Sequence, residues 1–394
     1  MKDTSKQGSL NLDSVESINS ELCFARFSDV SPDSERSGLL RSKTYPIDAN
    51  PSEVFEFQTC PIYDLSTAAA PDLNLEKMGF DCIDLSADAG LQSLFEQVRR
   101  SNFLTKPVAK AIRQKLWGKA FNLSNGKRMR LLYIAPEGFI IRKSGPNGLM
   151  VNPGEEVTEM NGHEAAALVH GDQDVYGTPV KQILKGMAPR LFRHQTPDGK
   201  NTKSPIFLLN IWIPLQQIVR PLVLMDRSTL NKQKHQLRLS IPTDSFLKRG
   251  EDQKMNDSWT FLPDKEQKWY FNSALDAKNA YVFDTLGEPH GTTILPGEEL
   301  AEQYYLSLKQ ATEAIVNKDE NVLKSATNIQ PLALPVDTTL SLQNAINMML
   351  ALINEAHESN THVLAQTDWV KRAGMAMDSV VRKSIEMRTV AWVS

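Results

Sequence analysis

Cysteine is scarce in this sequence of 394 residues: Cys23, Cys60 and Cys82 are odd in number, widely spaced and form no CxxC pair. Neither a disulfide scaffold nor a thiolate zinc site is indicated, and a reducing cytoplasm is the expected setting. Long apolar runs are missing as well, and none approaches the roughly 20 consecutive apolar residues of a membrane-spanning helix. The opening MKDTSKQGSLNLDSVESINS carries Lys2 and Lys6 without the apolar core of about 7–15 residues that a secretory signal needs behind them. No membrane association is expected, and residues 1–55, rich in Ser, Asp and Pro, read as a partly ordered arm. Nor is there an excess of positive charge. Forty-four Lys and Arg against 47 Asp and Glu give a net charge of −3, which removes nucleic acid as a general partner. No internal repeat is visible.

What remains is a chain with 41% apolar residues, enough for a substantial core. From Leu91 to Phe121 the pattern is that of an amphipathic helix pair interrupted at Pro107, with Val108, Ile112 and Leu116 on one face. Short β-like runs begin between Arg128 and Val151, punctuated by Pro and Gly. Between Ile206 and Phe283 come six more: FLLNIWIPL, RPLVLMD, HQLRLSIP, SWTFL, KWYFNS and AYVFD. Many short strands at close spacing predict a sandwich or barrel. After Pro296 the period changes, with Leu300, Tyr304, Leu308, Ala311 and Ile315, then Leu342, Ile346, Met349 and Ile353, at helical spacing. The final SVVRKSIEMRTVAWVS alternates again and predicts a return to the sheet.

Chemistry centres on His170 and Asp172 in LVHGDQDVYG. On a strand, residues i and i+2 project from one face, so imidazole and carboxylate can share a metal ion. Asp174 is the more distant alternative. His290, in LGEPHGTTILPGE, could supply a second imidazole from a pairing strand. Two histidines and one carboxylate leave three positions open, the arrangement of non-haem Fe(II) oxygenases. Near the other end, Arg382 and Ser384 alternate onto one strand face and could grip a carboxylate, since guanidinium offers a planar fork that stays charged. On spacing alone, ordinary surface charges on an exposed strand are the plainer alternative there.

Taken in order, HGDQDVYG, NIWIPL, RPLVLMDRSTL, QKWYF, EPHGTT and RKSIEMR resemble the motifs of the iron(II)/2-oxoglutarate hydroxylase and desaturase family that includes fungal gibberellin desaturases and the cephamycin methoxylation component. The resemblance spans residues 130–296 and 380–394. It implies a β-rich α+β fold: a double-stranded β-helix (jelly-roll, cupin-like) core in residues 56–297 and 379–394, with N-terminal helices. It implies that His170, Asp172 and His290 bind Fe(II), that Arg382 with Ser384 holds the distal carboxylate of 2-oxoglutarate, and that Arg388 is the reserve for that ion pair. The implied activity is hydroxylation or desaturation of an unactivated C–H bond of a small molecule by dioxygen, in natural-product metabolism. Asp172 as a ligand argues against a halogenase, because halide would need its position.

Two departures from the family pattern stand out. The interval from 290 to 382 is 92 residues long and contains a helical insertion, 298–378, expected to cover the barrel mouth, add an outer layer or form a homo-oligomer contact. TLGEP, before His290, lacks the basic residue often found there, leaving Arg220 and Arg227 as candidates for a second anionic contact. The competing reading is a non-catalytic cupin-like binding protein that docks a partner on the basic stretch Val98–Arg130, which has ten Lys or Arg and no Asp or Glu. His194 is expected in a solvated loop, His163, His235, His357 and His362 have no partner at ligand spacing, and Trp212, Trp259, Trp269 and Tyr270 are expected as core aromatics.

Overall fold

All six apolar runs between Ile206 and Phe283 form strands, and they enter two eight-stranded sheets in a computed structural model. The structure describes residues 17–31, 39–43, 55–67, 70–136, 138–151, 156–177, 180, 184–242, 255–330 and 332–394, so much of the expected N-terminal arm lies outside the described residues. The first sheet has the order β1 (Ser17–Ala25), β2 (Phe55–Asp64), β15 (Trp269–Phe271), β12 (Leu222–Met225), β17 (His290–Thr292), β8 (His170–Gly171), β14 (Met255–Phe261) and β13 (Gln236–Pro242). The second runs β3 (Phe80–Asp84), β16 (Asn279–Asp284), β11 (Ile206–Gln216), β18 (Arg382–Val393), β5 (Arg128–Ile134) and β4 (Ala120–Asn122). β6 (Ile140–Ser144) also pairs with β18, and β7 (His163–Glu164) with β6. β9 (His194–Thr196) and β10 (Gly199–Asn201) form a separate ribbon.

The continuous apolar run in β11 reflects burial on both faces. Phe207, Leu209, Ile211, Ile213 and Leu215 pack on one side with Leu91, Phe95, Val98, Val108, Ile112 and Leu116 of two helices, α1 (Ala89–Ser101) and α2 (Lys106–Leu116). The alternate face turns to the first sheet, where Trp212 packs with Leu222, Leu224, Tyr270, Tyr281 and Phe283. β18 divides the same way: Ile385 and Met387 join the helix-side core, which sends Arg382, Ser384 and Arg388 to the other face. Thus the alternation that buries the helices also sets which polar residues point between the sheets.

Pro107 opens a helix instead of breaking one. It sits in the first turn of α2, where its missing N–H is not needed, and Thr105 caps that turn by accepting from the Val108 N–H. The actual break is at Asn102, left-handed with φ 56°. Ser17–Ala25, assigned to the arm by composition, is strand β1, with Leu22 and Phe24 fully buried.

After β17 come five helices, α3 (Glu298–Asn317), α4 (Glu320–Thr327), α5 (Leu340–His357), α6 (Thr361–Ala365) and α7 (Trp369–Ser379). Both anticipated stripes are buried, and they meet each other: Leu300, Tyr304, Leu308, Ala311 and Ile315 share a core with Leu342, Ile346, Met349, Ile353 and Trp369. Val219 joins this core from the loop before β12. The apolar face of α5 therefore finds its cover within the chain.

Candidate metal centre

β17 is hydrogen-bonded between β12 and β8, which puts His290 directly opposite His170. Directly opposed residues of an antiparallel pair share a face. The two rings lie 4.4 Å apart between centroids, and Phe283 packs on His290 at 4.6 Å. β8 is only two residues long, so Asp172 lies in the bend after the strand and not on it. Its Oδ1 nevertheless reaches 3.8 Å from His170 Nε2 and 3.9 Å from His290 Nε2. One ligand atom from each of the three residues falls within 4.8 Å of the others, a set able to hold a metal ion.

The imidazoles are oriented for that task. His170 Nδ1–H donates to the Leu168 carbonyl at 2.8 Å and His290 Nδ1–H to the Glu288 carbonyl at 3.0 Å. With the proton fixed on Nδ1, each Nε2 presents its lone pair to the centre. Burial, aided by the neighbouring His290, pushes His170 down to about 4, so this imidazole is neutral and ready to ligate at pH 7. Burial opposes ionisation of Asp172, but Arg388, both histidines and Arg142 outweigh it and hold the carboxyl at about 2. Arg388 Nη2 stands 3.5 Å from Asp172 Oδ1, and Asn210 donates through Nδ2 to Oδ2 at 3.4 Å. Asn210 was not singled out by sequence; the only signal was one amide inside an apolar run.

Two residues along the same face of β11 is Trp212, and over its ring, at 5.3 Å, lies the Arg382 guanidinium. Arg382 is 1% exposed, and its Nε and Nη1 have no hydrogen-bond partner; Nη2 makes one long contact of 3.5 Å with Ser384 Oγ. A buried guanidinium with unmet donors is suited to bind an anion, since leaving it unsatisfied is costly. Arg388 is directed instead to the Asp172 carboxylate.

The other candidates separate clearly. Asp174 forms an ion pair with Arg238 and caps the Tyr176 N–H, away from the triad. Arg227 is bound to Asp284 at 2.6 Å and to two carbonyls. His194 is buried, not in a solvated loop: its Nδ1 pairs with the Phe192 carbonyl and its Nε2 with the Tyr176 hydroxyl. Trp259, Trp269 and Tyr270 are buried as expected. Half of the basic stretch is neutralised locally: Arg99 and Arg100 by Glu96, Lys115 and Lys119 by Asp88, and Lys127 by Glu76.

No family model matches the chain, and no curated protein matches it. Among solved structures it is similar to an iron and alpha-ketoglutarate-dependent endoperoxidase, NvfI, at 12% identity and TM-score 0.43, over 95% of this chain and 98% of that one. The same enzyme in a different conformation gives 13% identity and TM-score 0.45, over 95% and 97%. At that level the site rests on its own geometry. Among the described residues no helix is long and apolar enough to cross a membrane.

Proposed function

We propose that this protein is an Fe(II)- and 2-oxoglutarate-dependent oxygenase that hydroxylates or desaturates an unactivated C–H bond of a small molecule, within cytoplasmic natural-product metabolism. The observation that carries the reading is one shared polar face between the sheets. At Asn210 it meets the carboxylate of a two-histidine, one-carboxylate set, and at Trp212 it meets a buried guanidinium with open donors. Imidazole and carboxylate donors suit a divalent first-row metal such as Fe(II), with coordination positions left for cosubstrate and oxygen. The unmet Arg382 donors suit the distal carboxylate of 2-oxoglutarate. The two facing sheets with a common aromatic core support a double-stranded β-helix.

Bound iron would supply activation of dioxygen coupled to decarboxylation of 2-oxoglutarate to succinate. In this reading His170, Asp172 and His290 hold the metal, and Arg388 with Asn210 keeps the Asp172 carboxylate ionised and oriented. Arg382 and Ser384 bind and orient the cosubstrate, and the Trp212 ring steadies the Arg382 guanidinium lying over it. Asp172 occupies the position a halide would need, which favours oxygenation over halogenation. The self-contained core of α3–α7 supports an outer layer braced on the sheets over a subunit contact.

Protein purified without oxygen and reconstituted with Fe(II) tests the reading: about one iron per chain and 2-oxoglutarate-dependent succinate formation are expected. Protein that takes up neither iron nor 2-oxoglutarate would replace it with the cupin-like binding module.

A further inference from the structure

Arg220 is the second buried guanidinium that the folded chain leaves incompletely paired. It is 5% exposed, its Nε has no hydrogen-bond partner, and no carboxylate among the described residues forms an ion pair with it. Its Nη2 donates to Thr292 Oγ1 at 2.9 Å, and that hydroxyl donates to the Ala166 carbonyl at 3.0 Å. Thr292 lies two residues beyond His290 on β17, hence on the same face as the metal-side imidazole. Arg220 therefore enters the space between the sheets from the first sheet, whereas Arg382 enters it from the second.

The backbone shows that this placement is built. Arg220 is left-handed, with φ 49°, a conformation that non-glycine residues rarely adopt. It is held there by Glu298, in the first turn of α3, whose Oε1 accepts the Arg220 N–H at 2.7 Å and the Leu295 N–H at 2.9 Å. Oε2 accepts the Asn147 N–H at 2.8 Å. With three backbone donors satisfied, this fully buried carboxylate fixes the Arg220 main chain without forming an ion pair with its head group. The helical segment thus anchors a cation at the edge of the site.

We propose that Arg220 is a second anion-binding residue of the cosubstrate pocket, gripping with Arg382 the distal carboxylate of a 2-oxo dicarboxylate. The inference rests on the oxygenase reading. Of Arg220 and Arg227, the second is already ion-paired with Asp284, whereas Arg220 keeps an unpartnered Nε and has no ion pair among the described residues. Burial lowers both Arg220 and Arg382 from the ordinary arginine value, and the Arg220 charge lowers Arg382 further, so the two guanidinia lie within electrostatic reach.

The test is calorimetric titration of the Mn(II)-loaded protein with 2-oxoglutarate and with 2-oxopentanoate, which keeps the metal-chelating head but lacks the distal carboxylate. The wild type should prefer 2-oxoglutarate, and Arg220→Gln should shrink that preference by roughly tenfold or more, the worth of a buried charge-assisted contact. Arg220→Lys should shrink it by less. Equal weakening of both ligands, or an unchanged preference, would overturn the proposal while leaving the oxygenase reading in place. Failure of the wild type to bind 2-oxoglutarate overturns both. If Arg220→Gln does not fold, the same ratio measured on Arg220→Lys decides.

Discussion

Replacing Arg382 by methionine should make the ligand-free protein more stable while destroying its response to 2-oxoglutarate. Burial pulls this guanidinium from an ordinary value above about 12 down to about 9. At about 1.36 kcal/mol for each pKa unit, holding the charge there without a bound anion costs the fold on the order of 5 kcal/mol. Methionine keeps much of the chain's length and removes the charge, but forfeits the stacking on Trp212, worth about 0.5–2 kcal/mol, and leaves some space unfilled. The net expectation is a gain of about 1–4 kcal/mol, the range seen when buried charges give way to apolar side chains. The charge is disfavoured in the fold at every pH below about 9 and the cost fades as pH rises through that value, so the advantage of the variant should narrow in alkali. Equilibrium denaturation of both proteins, with and without the cosubstrate, measures this. At a hundredfold excess over Kd the wild type should gain about 2.7 kcal/mol, and Arg382→Met should gain nothing. Arg382→Lys keeps the charge without the fork, so it should show a raised 2-oxoglutarate requirement and no gain when empty. A methionine variant that is less stable without ligand, or that still responds to 2-oxoglutarate, would refute the assignment of Arg382 as an anion-binding residue.

His170→Ala, Asp172→Ala and His290→Ala should each abolish iron retention with the fold intact; full iron stoichiometry in any one would remove that residue from the set. Because His170 is held down at about 4, the metal-free protein should lose stability as pH falls from about 6.5 to about 4, where only the unfolded chain takes up the proton. Denaturation at pH 7 and pH 5 should show the loss in the wild type and a smaller one in His170→Gln. Gly79→Ala should cost about 1–3 kcal/mol, since φ is +95° and a Cβ would lie 1.5 Å from the buried Glu288 Oε2. Met349→Ala should cost about 2–5 kcal/mol by thermal unfolding, yet leave iron stoichiometry unchanged, because that side chain is buried among the helices.

The β runs and helical stripes were legible because burial writes a period of two or about 3.6 into them. FLLNIWIPL lacked alternation for a physical reason: both faces of β11 are covered. His170, Asp172 and His290 could be named from residue type and order. How they meet could not, since Asp172 reaches its place through a bend after a two-residue strand, while His290 arrives by pairing across 120 residues. Arg220 and Arg227 look equivalent in sequence, seven positions apart, and partners in space tell them apart: Asp284 with the Leu75 and Glu76 carbonyls for Arg227, Thr292 for Arg220. His194 sits among turn-forming residues and reads as solvated, but Tyr176 and Phe192 fold over it. Composition describes neighbours along the chain, and these sites depend on neighbours in space.

β18 occupies the middle of the second sheet, flanked by β11 on one side and by β5 and β6 on the other. Its partners precede it by as much as about 260 positions, so a ribosome must deliver Arg382–Val393 before that sheet can close. Until then β11 and β5 each expose an unpaired edge, a template for pairing with another chain. Such distant pairings favour slow folding, and chaperone demand during synthesis should fall when residues 382–393 emerge.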